Sequence, residues 1–289
     1  MFGPGEARIR VGIPRGYRPP PGRDTISSMK DQAAKALPIV AGLVIGWMVF
    51  HPPEALAPLG AARYLVMVLA GGALLLATVV LTIAAALPRR LTMTPTASPE
   101  EPAFRGLVDR YTALGFMPAG PAYTVGMAPA ATLVGLVHPT EPVYGTVFRT
   151  GTVPPVVSSD FISLLEGERG GLTTSANPRG GTLPGDAGSF RQCLVGATPD
   201  QLFAAHCDGV RWLRTRGLRC RAVSAASFES DFTRAVGRQR AIFMANPVAS
   251  AVKAIWRTAS ARTVGRGRLA EQPGLDDQVR RLLASPPRA

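Results

Sequence analysis

The sequence is poor in the residues that most often carry chemistry. It has three histidines and three cysteines, Cys193, Cys207 and Cys220, and no C-x-x-C pair. This spacing encodes neither a disulfide framework nor a zinc site, and it agrees with a reducing compartment. The G-x-S-x-G, H-E-x-x-H, P-loop and G-x-G-x-x-G patterns are also missing. The motifs therefore predict no catalytic residue, no metal and no cofactor.

Acidic residues are scarce beside basic ones, 19 against 32, which gives a net charge of +13. Only three of the bases are lysines, and the abundance of Arg, Ala, Gly and Pro indicates a GC-rich bacterial genome. Residues 1–88 carry a net charge of +4, residues 89–210 carry −2 and residues 211–289 carry +11. A basic C-terminal part favours contact with anionic lipid headgroups or nucleic acid.

Charged residues are absent from two long apolar runs, 36–50 and 64–87. Lys35 can keep its ammonium group in the headgroup region, so the first run extends to residues 33–50. At about 1.5 Å per residue, each run is long enough to approach or cross the ~30 Å hydrocarbon core of a bilayer. We predict a transmembrane hairpin over residues 33–88, with spans at about 33–50 and 64–87. A buried hairpin in a soluble protein is the alternative, and a plain soluble enzyme is excluded.

The distribution of basic residues around the two runs predicts the orientation. Arg18, Arg23, Lys30 and Lys35 precede the first run, and Arg89 and Arg90 follow the second, whereas the connector holds only Arg63. We expect a multi-pass protein of the bacterial cytoplasmic membrane with both termini in the cytoplasm. A cleaved signal peptide is the alternative, because residues 55–57 resemble a cleavage site.

The rest of the chain divides by composition. Residues 1–32 predict a disordered, basic, Pro- and Gly-rich arm, residues 89–98 a linker, and residues 260–289 a basic and mostly flexible tail. Between them, residues 99–259 predict a cytoplasmic α+β domain. We expect it to contain a helix capped by Ser98 with Pro99 at its first position. A four-strand antiparallel meander, a helix capped by Thr198 and two further helices follow. The expected strands are 132–138, 143–149, 161–165 and 172–175.

Polar residues that can line a site are few, and each also has a structural interpretation. The candidates are His138, Thr173, Thr174, Ser175, Asn177 and His206. His206 and Cys207 are neighbours on a helix and point about 100° apart, so they do not form a catalytic pair. A helical histidine on a half-buried face is more often a structural residue. Asp160, Glu166 and Glu168 are interpreted as solvated residues around a hairpin turn.

The helix expected from Val248 predicts a second contact with the membrane. Its apolar residues share one side, and Lys253, Ile255, Trp256 and Arg257 are the candidates for contact with a bilayer surface. Anionic headgroups attract nearby basic side chains, and an indole suits the interface. In the alternative, the same apolar stripe packs on the sheet and the basic residues are solvated.

Several short segments resemble a group of uncharacterised bacterial membrane proteins. The matching residues are Leu114-Gly115-Phe116, Val143-Tyr144-Gly145-Thr146-Val147, Leu172-Thr173-Thr174-Ser175-Ala176-Asn177, Ala205-His206 and Arg238-Gln239-Arg240. Those proteins have two N-terminal transmembrane helices and a C-terminal cytoplasmic α+β domain. The resemblance implies the same architecture and adds no catalytic residue.

Three functions are compatible with these observations. The first is a membrane-anchored cytoplasmic binding or scaffolding module, with the lipid bilayer as a partner and anionic headgroups, another protein or a second copy as further partners. The second is a membrane-associated enzyme whose site joins His138, His206 and the hydroxyls at the strand end. The third, a membrane-tethered nucleic-acid binder, ranks last because the chain has no helix-turn-helix and no aromatic RNA-binding motif.

Overall fold

The described part of the chain folds into six α-helices and eight strands. The computed structural model describes residues 60, 62–127, 129–152, 154–177, 185, 188–259 and 267–284. The helices are α1 (Ala62–Ala86), α2 (Pro102–Ala113), α3 (Pro199–Thr215), α4 (Phe228–Ala245), α5 (Pro247–Ala259) and α6 (Leu275–Ala284). The strands are β1 (Met93–Thr96), β2 (Met117–Pro118), β3 (Ala122–Val125), β4 (Ala131–Val137), β5 (Tyr144–Thr150), β6 (Val157–Leu164), β7 (Gly171–Ser175) and β8 (Ser189–Cys193).

All eight strands belong to one mostly antiparallel sheet. Its order is β1-β3-β4-β5-β6-β7-β8, with β2 paired to β4 and only β8 running parallel to its neighbour β7. The predicted α+β class, an antiparallel-sheet domain packed with helices, is confirmed. Strands β4 to β7 form the expected meander, because their alternating Val, Thr and aromatic residues suit a pleated surface with two covered faces.

The structure corrects the predicted linker and tail. Met93–Thr96, inside the predicted linker, pairs with β3 as an edge strand, where Pro95 is tolerated because one side of an edge strand needs no N–H donor. In the predicted flexible tail, α6 and a 3₁₀ turn at Leu269–Glu271 are folded. Leu269, Val279 and Leu282 are buried in the core beside Leu213, which offsets the cost of ordering this segment.

Helix starts are predicted with mixed success. Thr198 caps α3 as expected, with its hydroxyl accepting from the N–H of Gln201 in a complete capping box. By contrast, α2 begins at Pro102 after Glu101 and not at Pro99 after Ser98. Both prolines fit a first helical position. The later start leaves the Glu101 carboxylate 2.6 Å from the Nε of Arg149 on β5.

Helices cover both faces of the sheet. On one face, α2 and α3 bury an aromatic cluster in which Tyr111 stacks on Phe161 with ring centroids 4.5 Å apart. On the other face, α4 begins with Phe228 pressed onto Gly135 of β4. A Cβ at residue 135 would lie 2.2 Å from that ring, so only glycine allows the approach. The start of α4 is thereby fixed against the sheet.

Helix α1 leaves most of its apolar surface uncovered. Within the described residues, Tyr64–Ala86 is the one helix long and apolar enough to cross a membrane, judged by length and composition alone. The first predicted span, residues 33–50, lies outside the described residues, as does the N-terminal arm. At the C-terminal end of α1, the Arg240 guanidinium of α4 donates to the carbonyl oxygens of Ala84 and Leu87. This contact ties the folded domain to the end of α1.

Helix α5 packs beside α1 and α4. Its small residues Ala251 and Ala254 are buried. Val248, Val252 and Ile255 of its predicted apolar stripe are 54%, 50% and 36% exposed, and Trp256 at the border of the stripe is 67% exposed. The alternative in which this stripe packs on the sheet is therefore wrong.

Candidate functional site

The alternation of β7 divides the predicted polar residues between the two faces of the sheet. Thr174 points toward α3 and is fully buried, whereas Thr173 and Ser175 point toward the α4 side. Asn177 follows the strand, and its N–H donates to the Ser175 hydroxyl at 2.9 Å. The sequence-predicted residues therefore belong to two separate places.

The first place is a buried polar network around His206 on α3. His206 is 0% exposed, and its ring lies between two hydroxyls. Its Nε2 is 2.9 Å from Ser163 Oγ on β6, and its Nδ1 is 2.9 Å from Thr174 Oγ1 on β7. His206 and Thr174 are therefore in direct contact, although they are 32 residues apart in the chain.

The network has one consistent direction of donation. Ser163 donates its hydroxyl to the carbonyl oxygen of Pro142 at 2.7 Å, and that oxygen only accepts. Ser163 Oγ must therefore accept from His206 Nε2–H, which leaves Nδ1 to accept from Thr174. Thr174 Oγ1 in turn accepts from Gln192 Nε2 of β8 at 2.9 Å. Gln192 also donates to the carbonyl oxygen of Ala205 and accepts from the N–H of the 3₁₀ residue at 269.

Burial keeps the His206 ring neutral. Removing the ring from water lowers its pKa to about 3, far below the ordinary value of 6.5. Both ring nitrogens are already used in hydrogen bonds, so the network joins α3, β6, β7 and β8 as a structural element. This agrees with the structural interpretation of a helical histidine.

His138 does not join this network. It directly follows β4, and its Nδ1 accepts from the N–H of Glu141 at 3.0 Å. Its ring meets Phe116 edge-on, with centroids 5.0 Å apart, and lies 5.3 Å from that of Phe203. Phe203 packs on Phe161, whose ring is the one that contacts His206. The two histidines are connected through aromatic rings, and the described residues contain no hydrogen bond between them.

The cysteines on this side of the sheet are held as thiols. Burial, reinforced by nearby carboxylates, raises the pKa of Cys207 to about 11, and burial raises that of Cys220 to about 11. A thiolate is the reactive form of cysteine, so neither side chain is activated as a nucleophile. Cys207 also makes no hydrogen bond to His206 among the described residues, as the helical spacing predicts.

The second place, on the α4 side, contains a carboxyl group that sequence reasoning misplaced. Asp160 lies within β6, opposite Ser175 of β7, and not near the turn that holds Glu166 and Glu168. Burial raises the pKa of Asp160 to about 6, although a hydrogen bond with Ser175 and the charge of Arg191 both oppose this shift. Among the described residues, no group of three or more His, Cys, Asp and Glu is arranged to hold a metal ion.

On the same face of the sheet as Asp160, a cavity of about 640 Å³ separates α4 from strands β6, β7 and β8. We call it the α4 cleft. Its apolar lining includes Ile162, Leu164 and Ile242, and its polar lining includes the sequence candidate Thr173. Four arginines and two acidic residues also line it, namely Arg191, Arg221, Arg234, Arg238, Glu168 and Asp231. The cleft is therefore apolar in its interior and net basic along its walls.

The charged groups of the α4 cleft form two clusters. In the inner cluster, Asp231 is buried and accepts from Arg221 and from the Tyr144 hydroxyl, the latter at 2.8 Å. In the outer cluster, Arg234 Nη1 lies 2.6 Å from a Glu168 carboxylate oxygen, and Arg238 Nη1 donates to the Glu168 carbonyl oxygen at 2.5 Å. The inner cluster fixes α4 on the sheet, and the outer one stands at the cleft mouth.

The arginines of the cleft were missed at the level of sequence. Arg234 and Arg238 are four residues apart on α4 and therefore share one side of the helix, which was a usable signal. Their partner Glu168 is 66 residues from Arg234, and no local pattern predicts that contact.

The segments that carry the resemblance lie in several elements. They include the end of α2, β5, β7, one turn of α3 and the Arg238–Arg240 turn of α4. The membership that they suggest stays a prediction. No family model, no curated protein and no solved structure matches the chain.

Proposed function

We propose that the protein is a membrane-anchored module, with α1 crossing the cytoplasmic membrane and the α+β domain binding its ligand at the cytoplasmic face. The observation that carries this proposal is the uncovered apolar surface of α1. Within Tyr64–Ala86, an 18-residue window has a mean hydropathy of 2.5, and only 11% of that window is buried. A soluble protein covers a helix of this kind, because large exposed apolar patches cause association.

The dimensions of α1 support the same function. The 23 uncharged residues of Tyr64–Ala86 span about 34 Å at ~1.5 Å per residue, close to the ~30 Å hydrocarbon thickness. Arg89 and Arg90 lie three and four residues after the end of the helix at Ala86. Basic residues are retained on the cytoplasmic side, so this end of α1 and the domain after it belong in the cytoplasm.

The exposed stripe of α5 extends the proposed membrane contact. Val248, Val252 and Trp256 stand out from a helix that lies against α1. Lys253 is exposed beside them, at the edge where an anionic headgroup would lie. The side chain of Arg257 lies outside the described residues. We infer that α5 rests in the interfacial layer and holds the domain close to the bilayer.

Depth-dependent fluorescence quenching tests this proposal. Trp47→Phe and Trp212→Phe leave Trp256 as the single tryptophan of the full chain, which is then reconstituted into anionic vesicles. Lipids brominated near the carbonyl end of the acyl chain should quench its emission strongly. The matched control keeps Trp212, on α3, and replaces the other two tryptophans.

Quenching of Trp256 well above that of Trp212 is the result we expect. Equal quenching of the two would overturn the α5 contact. Extraction of the intact chain from membranes by alkaline carbonate would overturn the crossing of α1.

A further inference from the structure

The α4 cleft combines an apolar interior with arginines at its mouth, and we propose that it binds the phosphate-bearing headgroup of an anionic lipid. This inference rests on the proposed attachment to the membrane. A cavity of about 640 Å³ is within the range of sites for small molecules. Ile162, Leu164 and Ile242 offer apolar contact to the upper part of an acyl chain, which a free inorganic anion does not need.

The position of the cleft brings it to the lipid. Gln239, Ala241 and Ile242 line the cleft, and Arg240 between them donates to the carbonyl oxygens of Ala84 and Leu87. These two carbonyls belong to the end of α1 that leaves the bilayer on the cytoplasmic side. One end of the cleft therefore lies at the level of the headgroups of the same membrane.

In the outer charge cluster, a phosphate can replace the Glu168 carboxylate as the partner of the arginines. Arg234 and Glu168 are 57% and 56% exposed, and an exposed ion pair contributes little to stability. Glu168 has a φ of 53°, which makes it the one described non-glycine residue with a left-handed backbone. On this turn, Glu168 is contacted by both Arg234 and Arg238. A phosphate carries more acceptor oxygens than one carboxylate and suits the planar fork of each guanidinium.

The inner wall of the cleft offers a hydroxyl group to the ligand and is held in place by the inner charge cluster. Thr173 faces the cleft from β7, and its hydroxyl makes no hydrogen bond to any residue in the described part of the chain. Asp231 stays neutralised by Arg221 and fixed by Tyr144, so it does not repel an anion at the mouth. The lining as a whole holds four arginines and two acidic residues, which leaves it net positive.

Calorimetric titration of the full chain in a neutral detergent tests the ligand class. Three probes are compared: short-chain phosphatidic acid, phosphatidylcholine with the same tails, and inorganic phosphate. We expect saturable binding of phosphatidic acid, with at least tenfold weaker binding of the other two, because charge-assisted hydrogen bonds and apolar contact are both required. Equal binding of phosphatidylcholine would overturn recognition of the anion, and equal binding of inorganic phosphate would overturn the lipid as its source.

Matched variants locate the binding. Arg234→Gln with Arg238→Gln should weaken the binding of phosphatidic acid by about tenfold or more. Ala235→Trp fills the cleft without removing a charge and should weaken it as well. The control is Arg211→Gln, which removes an exposed arginine from α3, on the opposite face of the sheet.

Unchanged affinity in the double variant would overturn the site, provided that its circular dichroism matches the parent chain. So would an equal loss of affinity in the control. If phosphatidic acid does not bind while Trp256 is still quenched by brominated lipids, only the ligand of the cleft is wrong. If Trp256 is not quenched either, the proposed membrane contact of α5 is wrong as well.

Discussion

Thr174 is the residue whose substitution tests the buried network most sharply. Thr174→Val keeps the shape of the side chain and removes the hydroxyl that joins His206 to Gln192. It leaves His206 Nδ1 without a donor and one Gln192 N–H without an acceptor, in a place with no access to water. An unsatisfied buried group costs about 1–3 kcal/mol. After the gain from the added methyl group, we expect the free energy of unfolding to fall by about 2–4 kcal/mol.

Urea unfolding of the full chain in a neutral detergent measures this loss. Trp212 on α3 reports on the helix that carries His206, in a background with Trp47→Phe and Trp256→Phe. The matched control is Thr173→Val, one residue earlier on the same strand, whose hydroxyl faces the α4 cleft. The control should change the free energy of unfolding by less than about 0.5 kcal/mol. Equal effects of the two substitutions would refute the network as a source of stability.

Three further substitutions test other parts of the structure. The raised pKa of Asp160 means that its ionised form destabilises the fold above pH 6, so Asp160→Asn should raise the unfolding free energy at pH 7.5 by about 1–3 kcal/mol. This gain should disappear below about pH 4. In the same variant, the free energy of unfolding should fall as the pH falls from 6.5 toward 3, because the folded state keeps the His206 ring neutral while the unfolded state binds a proton. Gly135→Ala should lower the melting temperature, at a cost of about 1–3 kcal/mol from overpacking under α4. Tyr144→Phe removes the hydroxyl bound to Asp231 and should cost about 1–2 kcal/mol in urea unfolding, whereas no change would mean that the inner cluster does not hold α4.

Local patterns explain the parts of the fold that were predicted correctly. The capping box of Thr198 and Gln201 lies within four residues, so the start of α3 is readable from the sequence. The strands of the meander alternate in the same local way, as in β5, where Tyr144 and Val147 face opposite sides of the sheet. Glycine and proline breaks separate these strands from one another.

Other elements depend on contacts between distant residues. β8 contains only one large apolar residue, Phe190, and becomes a strand because it can pair with β7 and cover the core. In the same way, the 3₁₀ turn becomes ordered by burying Leu269, and α6 by burying Val279 and Leu282. These segments become ordered because they bury apolar side chains against distant parts of the chain, and a local window of about ten residues does not include those partners.

The candidate sites show the same limit. Thr174 and His206 were both named from the sequence, but their hydrogen bond depends on the register of β6 and β7 under α3. The α4 cleft forms because Phe228 holds the start of α4 on the sheet while the rest of the helix stands away from β6–β8. No periodicity along the chain encodes that separation.

In the proposed arrangement, α1 attaches the α+β domain to the cytoplasmic face of a membrane. Paired reporter fusions in bacterial cells test it most directly, with one reporter after residue 289 and the other inserted near Ala57. The reporter that works only in the cytoplasm should be active after residue 289, and the one that works only outside should be active near Ala57. An external location for the reporter after residue 289, or a cytoplasmic location for the one near Ala57, would contradict the account.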